Sequence, residues 1–144
     1  MPMVDISSKK VVERAAEAEG KIILSEKTLK ILPKVDKGDV FEAAQIAGTI
    51  AVKNTPNIIP YCHPILIESV KFDFSVVDDG IVVKCVVKSI AKTGVEMEAL
   101  VGVTSALLTI WDMVKKYEKD ESGNYPNTEI RFIRVLRKVK SYAH

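Results

Sequence analysis

Asp112 and Lys115 stand three residues apart in a stretch rich in Ala, Leu, Met, Glu and Lys, so a helix there sets both on one face. A carboxylate and an ammonium so paired shift each other's pKa and can serve as matched acid and base. The plain alternative is a surface ion pair of little energetic weight. Lys37-Gly38-Asp39 precedes a second apolar-periodic stretch. A lysine, a flexible glycine and the free N–H groups of a helix start suit an anion; a solvated lysine beside a helix cap is the alternative. Pro60 and Pro64 bracket Tyr61, Cys62 and His63, and each proline locks φ. Cys62 and His63 do not suit a metal pair, because neighbours in extended chain point to opposite sides. His63 suits a hydrogen-bond donor or a phosphate ligand, against a purely structural histidine. Glu96 and Glu98 flank Met97 at a strand-to-helix junction. The helix dipole favours acids there, and carboxylates also accept from the donor edge of a guanine-like ring. Lys53 and Lys138 are further lysines that composition does not separate from solvated ones.

The elements that must position these groups follow from periodicity. Residues 1–20 are polar, then charged and alanine-rich, and read as an arm, mobile when nothing is bound. Residues 21–144 read as one domain. Lys21 to Leu24 is a short strand, and Ser25 to Leu29 opens a short helix stopped by Pro33. Lys34 to Gly38 is a loop. Asp39 is an N-cap with Glu42 three residues on, resembling a capping box, and begins a helix over 40–54. Ala43, Ala44, Ala47, Gly48 and Ala51 let another element approach that helix closely. Leu66, Val70, Phe72, Phe74 and Val76 share one parity, interrupted by Glu68, as in a half-buried strand. Asp78-Asp79-Gly80 is a hairpin turn before a β-branched strand from Ile81 to Ile90. A long helix over 96–119, a loop at Asn124 to Asn127 and a strand from Glu129 to Val139 complete the chain. The order β-α-β-β-α-β predicts an α+β fold. It is the ferredoxin-like split βαβ sandwich, an antiparallel sheet with two helices on one face. That fold serves many functions and names none.

The chain has 144 residues and a net charge of +2. This balance excludes a strongly basic DNA-binding domain and an acidic tail, but not a local cationic pocket. No apolar run approaches the roughly 18–20 residues of a membrane span, and Met1 to Lys10 lacks a signal core, so the expectation is a cytoplasmic protein with no membrane partner. Cys62 and Cys85 cannot build a zinc or iron–sulfur site alone, so no metal site is expected. They read as reduced, at least one of them buried. No Walker loop, dinucleotide fingerprint or catalytic serine spacing occurs. RNA binding on the sheet needs exposed aromatics; Phe72 and Phe74 share the core parity, so no nucleic-acid partner is expected.

Five strings occur in one order: Lys-Gly-Asp-Val at 37–40, Ile-Ala-Gly at 46–48, Pro-Tyr-Cys-His-Pro at 60–64, Lys-Thr-Gly-Val-Glu-Met-Glu-Ala-Leu at 92–100 and Leu-Thr-Ile-Trp-Asp-Met at 108–113. With Met3-Val4-Asp5-Ile6-Ser7, they closely resemble the cyclic pyranopterin monophosphate synthase family of molybdenum cofactor biosynthesis, over nearly the whole chain. The resemblance implies a lyase that converts a cyclised dihydroguanosine triphosphate to cyclic pyranopterin monophosphate and pyrophosphate. It implies catalytic roles for Asp112, Lys115 and Lys37. It implies substrate binding by Tyr61, Cys62 and His63, by Met97 and Glu98 with Glu96 beside them, and by Lys53 and Lys138. It also implies hexamers built from dimers, and no required cofactor, with Mg²⁺ open as a companion of the triphosphate. Two departures stand out: Tyr61 replaces a common leucine, and the chain after Lys138 ends Val139-Lys140-Ser141-Tyr142-Ala143-His144 instead of in a Gly/Ser-rich tail with another lysine.

Residue chemistry agrees with that role. Lys37, Lys53, Lys115 and Lys138 can supply positive charge to a triphosphate. Like-charge repulsion among lysines is expected to lower the pKa of one and make it a base. Lys37 and Lys115 are the expected proton-transfer pair, with Asp112 orienting one of them. Asp112 lies 14 residues after Glu98, about 21 Å along a helix at 1.5 Å per residue. One compact site can hardly use both from a single chain, which predicts sites shared between subunits. The competing class is a non-catalytic nucleotide-sensing module on the same fold, which binds without releasing pyrophosphate.

Overall fold

The computed structural model describes residues 2–141. The central strand β1 runs Val12–Ile23. A short helix α1, Glu26–Ile31, and a two-residue hairpin, β2 Lys34–Val35 with β3 Gly38–Asp39, lead to helix α2, Val40–Lys53. One turn, α3 at Thr55–Ile58, precedes strands β4 Ile67–Val77 and β5 Gly80–Ala91. Helix α4 spans Glu96–Glu118 and strand β6 spans Glu129–Ser141. The four long strands form one sheet in the order β4-β5-β1-β6. All three pairings are antiparallel. Helix α4 packs on β1, β5 and β6, and α2 packs beside it against β4. This is the expected split βαβ sandwich, with both long helices on one face.

The core lies between that face and α4. Ala99, Val103, Ala106, Leu107, Ile110 and Val114 are fully buried and recur at the helical period. Each buried aliphatic side chain is worth about 1.5–3 kcal/mol. That sum, more than helix propensity, fixes α4 in place. By length and composition α4 is long and apolar enough to cross a membrane, against the expectation that no apolar run approaches that length. Its apolar stripe instead covers the sheet, opposite Ala18, Ile22, Val83, Cys85 and Val87. Both cysteines are free, Cys85 buried and Cys62 partly so.

Close packing explains the small residues. A Cβ at Gly20 would come 2.7 Å from Leu107 and 2.8 Å from Val103. A Cβ at Gly102 would come 2.7 Å from Val52 and 3.2 Å from the Cys85 sulfur, and one at Gly48 would strike the Phe72 ring. Glycine and alanine here are the condition for α2, α4 and the sheet to meet.

Several expectations change, and Lys34 to Gly38, expected as a loop, forms most of the β2–β3 hairpin. The strand expected at Lys21 to Leu24 begins nine residues earlier, at Val12. Residues 12–20 therefore belong to the middle of the sheet, and the expected arm can begin only before Val12. Leu66 lies outside β4 and is 82% exposed, and Val76, beside the hairpin turn into β5, is 51% exposed; only Val70, Phe72 and Phe74 of that set pack on the core. The interruption at Glu68 is a register shift between Ile67 and Ser69, a bulge that re-aims the strand start. The Asp78-Asp79 turn, both long helices and the last strand lie within two residues of expectation.

Candidate active site

Two clusters of charged side chains stand near opposite ends of α4. The first gathers on Asp112. Lys115 Nζ lies 2.9 Å from one carboxylate oxygen, and Lys37 Nζ lies 3.2 Å from the other. Lys37 also donates to the Asp112 carbonyl at 3.0 Å. The two lysines come from different elements. Lys115 is one turn further along α4. Lys37 sits in the tight turn between β2 and β3, where Gly38 adopts φ +123°, a conformation that favours glycine. Asp39 then caps α2, accepting from Glu42 N at 3.0 Å. That is half of the expected capping box.

The electrostatics follow from this geometry. Lys115, then Lys37, donate to Asp112 and hold its carboxyl below the ordinary carboxylate range. Asp112 in turn raises Lys115. This corrects the expectation of a lysine depressed by its neighbours: for Lys115, the carboxylate at 2.9 Å outweighs them. All three side chains are about half exposed, so a ligand can reach them and their mutual stabilisation is small.

The second cluster lies at the α4 start. Glu98 is 2% exposed, and burial pushes its carboxyl above the ordinary range. Cys62 donates from Sγ to Glu98 Oε2 at 3.6 Å. Burial, then the Glu98 charge, pushes the thiol up to about 11. Lys138 Nζ lies 3.4 Å from Glu96 Oε1. Glu98 Oε1 and Glu96 Oε2 are buried acceptors without a hydrogen-bond partner, unusual for buried polar atoms. Gly94 makes room for the Glu96 carboxylate, which a Cβ at that position would strike. Arg14, Gly94, Glu96 and Lys138 line a 350 Å³ cavity. Glu96 lines this cavity and Glu98 does not; the orphaned Glu96 oxygen can take the donor edge of a ligand, and Lys138 beside it an anion.

The remaining expected residues are spread. His63 Nε2 lies 2.7 Å from the Val4 carbonyl, so Cys62 and His63 take separate partners. Tyr61 is 61% exposed in the turn after α3. Met97 lines an apolar groove with Ile58, Ile59, Leu100 and Leu108. Lys53 ends α2 and lines another groove with Ile65 to Val70. Among the described residues, no group of three or more His, Cys, Asp and Glu side chains could hold a metal ion.

Sequence reasoning missed several supports of these clusters. Arg14 donates to the carbonyls of Ala91 and Lys92 at 3.3 and 3.2 Å, fixing the strand end before Glu96. Lys116 pairs with Asp36, next to Lys37. Glu118 is buried at the far end of α4. Single charges in mixed-charge stretches gave no signal of these contacts.

Comparison with known proteins bears on what such an arrangement does. The model of the MoaC family matches residues 3–141. The chain is 61% identical over 140 residues to the probable cyclic pyranopterin monophosphate synthase of Archaeoglobus fulgidus, covering 96% of this chain and 90% of that one. It is 53% identical over 142 residues to the protein of the same name from Sulfurisphaera tokodaii, covering 97% and 94%. It is also 53% identical over 143 residues to that of Methanosarcina mazei, covering 98% and 91%.

Proposed function

Because the chain belongs to the MoaC family, we propose that it is a cyclic pyranopterin monophosphate synthase of molybdenum cofactor biosynthesis. Its substrate in this reading is the cyclised dihydroguanosine triphosphate, and the reaction class is a lyase. The observation that carries the reading is Asp112 held between Lys37 and Lys115, in a chain whose relatives bear the synthase name over nearly their full length.

The reaction opens a purine-derived ring. A sugar hydroxyl then attacks the α-phosphorus: a new P–O bond forms, the bond to the β-phosphate breaks, and pyrophosphate leaves. This demands proton transfers and stabilised phosphoryl charge. Lys115 enters protonated, because Asp112 raises it, so its first transfer is a donation. Lys37 shares the same carboxylate and is the second member of the proton-transfer pair. Asp112 orients both ammonium groups. Glu96 and Glu98 take the donor edge of the purine-derived ring, with Met97, Tyr61, Cys62 and His63 around it. Lys53 and Lys138 add charge for the phosphates. No resident cofactor is needed, and any Mg²⁺ arrives with the triphosphate.

The two clusters are about 21 Å apart along α4 at 1.5 Å per residue. A single substrate spans them only if Asp112 of one subunit faces Glu98 of another. We therefore read the enzyme as a homo-oligomer with shared sites, a hexamer built as a trimer of dimers, working in the cytoplasm with no nucleic-acid or membrane partner. Lys115→Ala should leave a folded oligomer that releases no pyrophosphate from the cyclised triphosphate; near-normal release would refute the role. A chain that binds this substrate without ever releasing pyrophosphate would instead be the nucleotide-sensing module.

A further inference from the structure

Glu118 belongs to neither cluster, yet two segments, the start of α1 and the stretch before β6, converge on its carboxylate. It is 6% exposed, in the last turn of α4. Ser25 donates its N–H at 3.1 Å and its hydroxyl at 2.6 Å. Thr28 donates its hydroxyl, and Thr128 donates at 2.7 Å. Burial alone would raise this carboxyl, but the Ser25, Thr28 and Thr128 donors outweigh burial and hold it below the ordinary range.

The segments so joined carry the first cluster. Ser25 caps α1, and α1 feeds the hairpin whose turn presents Lys37. The same turn of α4 also touches the hairpin itself: Lys116 pairs with Asp36, and the Tyr117 hydroxyl accepts from Asp36 N at 3.4 Å. Asp112 and Lys115 lie on the α4 turns just before it. Lys37 is an exposed, flexible side chain at the tip of a hairpin of two-residue strands. An exposed ion pair is too weak to order such a hairpin by itself. A buried carboxylate with charge-assisted hydrogen bonds is not.

We propose that Glu118 is a positioning residue: it fixes α1 to the end of α4, so that Lys37 meets Asp112. Its consequence for turnover rests on the synthase reading, whereas its consequence for the Lys37–Asp112 contact does not.

Carbon-13 titration of the Asp112 carboxyl in the full-length chain reads that contact directly. Lys37→Met moves the titration up. Glu118→Gln is expected to move it up by the same shift, and adding Lys37→Met to Glu118→Gln to move it no further. Asp112 titrating at its wild-type position in a folded Glu118→Gln chain overturns the proposal. Where Glu118→Gln does not fold, Thr28→Val removes one of the α1 donors and keeps the carboxylate; a smaller upward move supports the proposal, and no move overturns it. Turnover gives a second readout. A misplacement of this kind lowers kcat roughly 10- to 100-fold at unchanged KM, and the Lys37→Met/Glu118→Gln double variant is no slower than Lys37→Met. A double variant slower by the product of the two single losses contradicts it. If the wild type releases no pyrophosphate, the synthase reading fails, and the titration still decides on Glu118.

Discussion

Asp112 and Glu98 are two carboxylates on one helix in opposite electrostatic settings. Asp112 has an ammonium group on each oxygen and stays ionised below the ordinary range. Glu98 is buried with one oxygen unpartnered, and its carboxyl is raised above its ordinary 4.5. A carboxyl raised on folding stabilises the fold below its unfolded pKa, and that advantage is lost as pH rises through its folded pKa. Glu98→Gln should therefore melt higher than the wild type at pH 8, with the difference closing toward pH 4. It removes the cost of desolvating a buried charge and weakens substrate binding. Thermal melts across that pH range check this; a Glu98→Gln chain less stable at pH 8 would contradict it. Asp112, Lys115, Lys37, Cys62 and Glu98 were all legible as candidates in the strings of the sequence. Their protonation was not, because it depends on distances such as the 2.9 Å between Lys115 and Asp112. Glu118 gave no signal at all, since a glutamate within Lys-Lys-Tyr-Glu-Lys-Asp reads as a solvated helix face.

The long elements were legible where apolar periodicity is strong. Helices α2 and α4 and strands β4, β5 and β6 all follow from it. Strand β1 did not, for a physical reason. From Glu13 to Gly20 it is mostly Ala, Glu and Gly, residues depleted in strands. They are small on the core side because Leu107 and Val103 press on Gly20. The same closeness makes a prediction for α4. Gly102→Val gains helix propensity but drives its side chain into Val52 and the Cys85 sulfur, at 2.7 and 3.2 Å from the added Cβ alone. Overpacking of this sort costs about 1–3 kcal/mol, more than the propensity gain of under about 1 kcal/mol. Urea unfolding should show a lower midpoint at an unchanged m-value; a midpoint at or above the wild-type value would mean that α2 and α4 separate freely.

At the scale of the whole molecule, the length of α4 separates the two charged clusters. It keeps the Lys37–Asp112–Lys115 cluster away from the Glu96–Glu98 cluster of its own chain, so the synthase reading requires a partner subunit. Chains carrying Asp112→Ala and chains carrying Glu98→Ala should each be inactive alone. Co-refolded into mixed oligomers, they should regain part of the wild-type activity; mixed oligomers that form and stay inactive would count against shared sites. The fold could be read from the order of elements; the expectation of shared sites rests only on setting two motif positions against the rise of a helix. In the proposed enzyme the chain turns its substrate over with Asp112 at the reacting centre. The most direct measurement is pyrophosphate release from the cyclised dihydroguanosine triphosphate by the wild type and by Asp112→Asn. We expect release by the wild type and a loss of about 10²- to 10⁴-fold in the variant, the usual weight of a group that governs proton transfer. Binding without release by the wild type, or release by Asp112→Asn at the wild-type rate, would contradict the account.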